Sequence, residues 1–189
     1  MRRFSAMILG AALLMPAIGH AATHTRSRSQ VAAGSFEISP TVAYSHENLK
    51  REGYGGVDNF SRLDFTPTIG YCISNHYEVT GGLITRYEST NGASATSVGA
   101  IAGLTYNFNP SGTMIPFASA GFGTMFNGGF NFSEPAVIAP SLACGVRVLA
   151  GDTGSVNLTM GYQRESNGSM RQNRIVAAAG VSLFPWRHQ

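Results

Sequence analysis

Charge is what this chain has least of. Only 12 % of its 189 residues are Asp, Glu, Lys or Arg, and Lys50 is the single lysine. A soluble domain usually carries about 25 %, so an ordinary water-exposed globule is excluded. The cations are scattered along the sequence and form no basic stripe, which removes nucleic acid from the partners. No apolar run is long enough to cross a bilayer as a helix; the longest, residues 6–18, falls short. Cysteine is nearly absent too. Cys72 and Cys144 are the only two, and strand alternation sets them on opposite faces, so both are expected to be free thiols. No Cys or His pairs with another at ligand spacing, which leaves no metal and no cofactor site.

What is present begins with an export signal. Arg2 and Arg3 precede the apolar run, and Gly19-His20-Ala21 follows with small residues at its first and third positions. That layout predicts a signal peptide over residues 1–21, cleaved after Ala21. Its removal takes away two arginines and no acid, leaving 11 basic residues against 10 acidic ones. Residues 22–33 have no periodicity and are expected to form a mobile periplasmic tail.

From residue 34 to the end the pattern is alternation. Residues 173–186 set Ile175, Ala177, Ala179, Val181 and Leu183 against Arg174, Gly180 and Ser182, a period of two that belongs to a strand. Pro185 would cut a helix short. Phe184, Pro185 and Trp186 then make an aromatic finish suited to a lipid–water interface. Seven further segments alternate in the same way: 36–44, 62–73, 77–88, 96–108, 115–126, 138–149 and 156–165. The fifth is the least clean, with Ala118, Ala120, Phe122 and Phe126 assigned outward. Polar loops at 46–60, 89–95, 127–135 and 166–172 alternate with short turns at 74–75, 109–112 and 151–154.

Eight strands of about ten residues each, with short turns on one side and longer loops on the other, predict an all-β, eight-stranded antiparallel up-and-down transmembrane barrel over residues 34–189. A soluble barrel shows the same alternation with the faces exchanged. Here one face carries bulky residues such as Leu63, Phe65, Tyr71, Tyr77, Tyr87 and Leu158, with aromatics near strand ends. The other carries Gly, Ser, Thr, Ala, Asn and a few charges. An eight-stranded interior is narrow, so the small face belongs inside and large apolar residues would crowd it.

The exported start, the eight strands, the segment Met114-Ile-Pro-Phe-Ala-Ser-Ala-Gly-Phe-Gly123 and the aromatic finish resemble the small outer-membrane barrels of Gram-negative bacteria, the OmpA/OmpX-like group. The resemblance implies residence in the outer membrane as a monomer among lipid and lipopolysaccharide. It implies no particular activity.

Two sets of residues carry the chemistry. Inward charges fall in two layers: Glu37, Glu78 and Arg147 near the turn end, and Arg62, Asp64, Arg86, Glu88, Glu165 and Arg174 near the loop end. Charges in a narrow, poorly hydrated lumen are costly unless paired, so interior salt bridges are expected to plug the barrel. The alternative role for the same residues is a narrow ion path.

The second set is Tyr162-Gln-Arg-Glu-Ser-Asn-Gly168. It resembles the His-x-Ser-Asn stretch of the outer-membrane lipid A 3-O-deacylases, with Ser166 and Asn167 at the Ser and Asn positions. Arg164 stands where that family has its histidine, and a guanidinium cannot accept the nucleophile's proton. The closing strand has no acid to orient a base. The resemblance therefore implies an esterase only through Ser166 and without its base, and the expectation is a non-enzymatic barrel. Arg164, on the lipid side, would instead suit a lipopolysaccharide phosphate.

Overall fold

The computed structural model describes residues 31–50, 57–90, 93–127, 136–151, 153–167 and 170–185. The expected signal peptide, tail residues 22–30 and Trp186 lie outside them. Alternation without helix-length apolar periodicity leaves the chain only one way to satisfy its backbone, by strand pairing. Eight strands form: β1 (Phe36–Lys50), β2 (Val57–Cys72), β3 (Tyr77–Thr90), β4 (Ala93–Asn107), β5 (Met114–Asn127), β6 (Ala136–Ala150), β7 (Gly154–Asn167) and β8 (Met170–Leu183). Each pairs antiparallel with the next and β8 pairs with β1, closing the barrel.

The outward face is the bulky one. Ile69, Leu83, Phe122, Met160 and Ile175 are between 61 % and 74 % exposed, which no water-soluble barrel could tolerate as a continuous belt. Phe36, Tyr71, Tyr77, Tyr106 and Phe108 gather at the turn end of β1 to β4, with ring centroids 4.9 to 5.1 Å apart in tilted or T-shaped pairs between Phe36 and Tyr71, Tyr77 and Tyr106, and Tyr106 and Phe108. A lipid-facing belt with an interfacial girdle is the signature of a transmembrane barrel. In β5, Ala118, Ala120, Phe122 and Phe126 take the outward register, as the weak alternation predicts. Cys72 is buried and Cys144 exposed, both as free thiols.

Four expectations need correction. The strands run on past their alternating cores: β1 and β2 stay paired out to Lys50 and Val57, so most of the expected 46–60 loop is ladder. Polar residues on both faces hid it, because a strand standing beyond the membrane has no greasy side. The expected tail also ends early. Val31 is fully buried against Cys72, Ile115 and Phe184, the Gly34 amide donates to the Cys72 carbonyl at 2.8 Å, and the Ala33 amide donates to Asn75 Oδ1 at 3.0 Å. Gly34 turns the chain into that position with φ of 83°, a conformation that costs a side-chain-bearing residue.

Phe184 is the third correction. It is 1 % exposed and lies inside the turn end rather than at the lipid interface. The fourth is the lumen itself, which holds Ile84, Ile101, Phe117, Met125 and Val176 as well as small residues. Each has a glycine as a register partner: Gly99 for Ile84 and Met125, Gly82 and Gly123 for Ile101, Gly145 for Phe117, and Gly161 for Val176. Each of these five thus lies over a position that lacks a side chain. A Cβ on Gly145 would stand 2.7 Å from Phe117 Cζ.

Two places in the wall depart from a regular ladder. Around Pro140 the pairing of β6 slips against both neighbours, between Gly121 and Gly123 on β5 and between Ile138 and Ser141 on β6, because proline has no amide to give the ladder. The second is the closing seam. β1 and β8 pair from Ile38 and Leu183 to Tyr44 and Ala177 and no further, although β1 continues along β2 and β8 along β7.

Candidate functional site

The nine inward charges come together as two clusters with a cavity between them. Near the turn end Arg147 Nη2 lies 2.7 Å from Glu37 Oε2 and 3.3 Å from Glu78 Oε2. Both carboxylates and the guanidinium are at most 4 % exposed. Strand length places them at one height: Glu37 opens β1, Glu78 opens β3 and Arg147 nears the end of β6. The guanidinium carbon lies 5.8 Å from the Phe117 ring centroid and 5.5 Å from that of Phe184, within cation–π range. A Cβ on Gly70 would lie 1.9 Å from Glu78 Oε1, so the missing side chain makes the room Glu78 occupies.

Glu37 is held from its other side by a polar chain. The Ser182 hydroxyl donates to Glu37 Oε1. Asn157 Nδ2 donates to Ser182 Oγ at 2.5 Å, and the Ser155 hydroxyl donates to Asn157 Oδ1 at 3.2 Å. Three strands, β7, β8 and β1, are tied by side chains where their ladder also runs.

The loop-end cluster has three arginines and three carboxylates. Arg86 forks onto Asp64, with Nε to Oδ1 at 2.7 Å and Nη2 to Oδ2 at 3.0 Å, the bidentate arrangement that fixes both groups. Its Nη2 also lies 2.8 Å from Glu165 Oε1. Arg174 Nη2 reaches Glu165 Oε1 at 2.7 Å, Asp64 Oδ2 at 3.2 Å and Gln163 Oε1 at 2.5 Å. Arg62 joins Glu88 at 2.5 Å and Glu165 at 3.5 Å. The cluster is neutral by formal count, whereas the turn-end one holds two carboxylates to one guanidinium.

Between the two lies a cavity of about 240 Å³ lined by Ser39, Thr41, Thr68, Thr80, Thr105 and Thr159 among others. Its wall is mixed, with Ile84, Ile101, Phe117 and Val176 beside those hydroxyls. Below it, Val31, Ile115 and Phe184 close the turn end.

Ser166 and Arg164 are elsewhere. Leu158, Met160, Tyr162 and Arg164 are exposed on the outward face of β7, and Ser166 shares their register. Its cross-strand partners are Arg171 on β8 and Val137 on β6, and Arg164 pairs with Asn173. No histidine or carboxylate sits opposite either residue in the ladder. His46 is on β1, with β8 between it and β7. Tyr162 donates its hydroxyl to Asn173 Oδ1 at 2.9 Å, which marks the polar edge of the belt there.

Sequence reasoning missed Phe117 and Phe184 on either side of Arg147, the hydroxyl chain behind Glu37, and Val31 as part of the stopper. The signal for the first existed as the pairing of Phe117 with Gly145, visible only once neighbouring strands are set in register.

No family model matches the chain, and no curated protein matches it. Among solved structures it is similar to the outer-membrane enzyme PagL, at 17 % identity and a TM-score of 0.44 over 78 % of this chain and 98 % of that one. The Yersinia pestis outer-membrane protein Ail gives 13 % identity and a TM-score of 0.41 over 79 % and 99 %. A de novo designed transmembrane β-barrel gives 16 % and 0.44 over 80 % and 95 %.

Proposed function

We propose that this protein is an outer-membrane barrel of a Gram-negative envelope, present as a monomer, that contributes through its structure and its contact with surrounding lipid rather than by catalysis or conduction. The observation that carries this reading is the lumen, occupied by ion pairs near both ends. Eight strands leave no porin-like passage, and the side chains that would have to part for an ion are those that neutralise one another. The turn end, where the chain enters and leaves the barrel, faces the periplasm, in keeping with the export signal at residues 1–21.

Against an esterase stands the environment of Ser166. A serine hydroxyl becomes nucleophilic beside a base, and its ladder partners are Arg171 and Val137. Mass spectrometry of lipid A from cells making the protein tests this: the acyl pattern should match that of cells without it. Loss of a 3-linked acyl chain that Ser166→Ala abolishes would overturn the reading. In planar bilayers the intact protein should show no openings, and reproducible openings altered by Arg86→Ala would establish a channel instead.

A further inference from the structure

The residues just ahead of β1 do more than lead into the barrel. Residues 31–35 fold across its turn end as a strap, and the Val31 side chain sits fully buried among Cys72, Ile115 and Phe184. The Gly34 amide donates to the Cys72 carbonyl, the Ala33 amide to Asn75 Oδ1, and the Ser35 amide closes a turn onto the Ala32 carbonyl. From Phe36 onward the chain is ladder, paired residue by residue with β2. Val31 is thus the apolar anchor of the strap, and Gly34, with its φ of 83°, is the pivot between strap and strand.

Behind the strap the interior is not satisfied. Phe184, which packs with Val31, also lies 5.5 Å from the guanidinium carbon of Arg147. Nε and Nη1 of that guanidinium have no hydrogen-bond partner among the described residues. The Asn107 side chain is fully buried, and neither its Oδ1 nor its Nδ2 is partnered. Its register partner is Phe117, the other ring beside Arg147. Buried amide and guanidinium groups without partners are unfavourable in a way that water would relieve. Closing the strap takes Val31 out of water, which favours closure; it also keeps water from these polar atoms, which opposes it. The two effects are of the same order, so closed and open arrangements are separated by a small margin.

We propose that residues 31–35 are a lid on the turn-end mouth of the lumen, which swings about Gly34 and admits water and small solutes to the interior from that side. The loop end stays shut by its own ion pairs, so the lumen becomes a vestibule rather than a passage. Because the strap precedes β1, the barrel ladder is the same with the lid open or closed. The lid goes beyond the structural role proposed above, and its opening does not depend on which compartment the turn end faces.

Cys72 is a built-in reporter, since its thiol is fully buried against Val31. In the full chain carrying Cys144→Ser, held in lipid nanodiscs, the test is the rate at which a small water-soluble methanethiosulfonate modifies Cys72. The reference is Ser111→Cys in a Cys72→Ser/Cys144→Ser chain, in the exposed turn after β4. Cys72 should react to completion while the barrel keeps its folded migration on gels, on the order of a hundred-fold more slowly than the reference. Gly34→Ala, which strains the closed pivot, should speed the reaction about ten-fold. Val31→Asp, which sets a carboxylate in the apolar pocket, should bring it close to the reference rate. Folding of each variant is checked by heat-modifiable migration, and Gly34→Ala alone decides if Val31→Asp does not insert. A Cys72 that reacts only in urea strong enough to unfold the barrel, one that matches the reference before any lid substitution, or a rate that Gly34→Ala leaves unchanged would each overturn the lid.

Discussion

Arg147 concentrates the energetics of the interior in one side chain. Among the described residues it is the single guanidinium beside Glu37 and Glu78, and the Phe117 and Phe184 rings flank it. Removing one member of a buried ion pair costs about 3–5 kcal/mol, because the charge left behind has lost its partner. Arg147→Met should therefore lower stability by that amount in urea unfolding from lipid vesicles, and adding Glu78→Gln should recover part of it. An Arg147→Met barrel as stable as the parent would show that the turn-end cluster contributes nothing. At this scale the sequence was informative about direction and silent about neighbours. Alternation alone put Glu37, Glu78 and Arg147 inside and at one end, since a strand's two faces are visible in its own residues. That Phe117 could also fit inside was hidden, because the space it needs comes from Gly145 on another strand.

Among the elements, the closing pair differs from the rest. β1 and β8 meet over the lower part of their length and separate above Tyr44 and Ala177. Side chains span the gap: Arg174 of β8 reaches Asp64 of β2 across β1, and Glu165 of β7 reaches Arg62 and Arg86. Interior ion pairs hold the loop end where the backbone ladder does not. In a background without native thiols, made by Cys72→Ser and Cys144→Ser, the pair Val42→Cys/Ala179→Cys should form a disulfide, because those residues are register partners at a separation a disulfide accepts. His46→Cys/Ile175→Cys, four residues further toward the loops, should stay reduced. Equal cross-linking of both pairs would mean that the seam is zipped to the top. The seam was not legible in the sequence. Residues 45–50 and 170–174 have no apolar face that would reveal their register, so nothing in either segment says with which neighbour it pairs.

For the whole molecule, the number of strands, their order and the sense of the barrel all follow from a repeated period of two. They were legible because membrane and lumen impose opposite demands on successive residues. Less legible were the ends: where strands outrun the bilayer, both faces meet water and the alternation fades, which is why the loops came out shorter than expected. The stopper of Val31 and Phe184 escaped for a related reason, since it is built from chain that flanks the strands rather than belonging to them.

Everything rests on which face meets acyl chains, and β7 offers the most direct measurement. Single cysteines placed in turn from Val156 to Gln163, in the thiol-free background and carrying a nitroxide, would be examined in lipid vesicles for collision with oxygen and with a water-soluble nickel chelate. Oxygen accessibility should peak at positions 156, 158, 160 and 162 and fall at those between, because Leu158, Met160 and Tyr162 are exposed on the outer wall while Asn157 is buried in the lumen. An oscillation of the opposite phase, or none at all, would contradict the account.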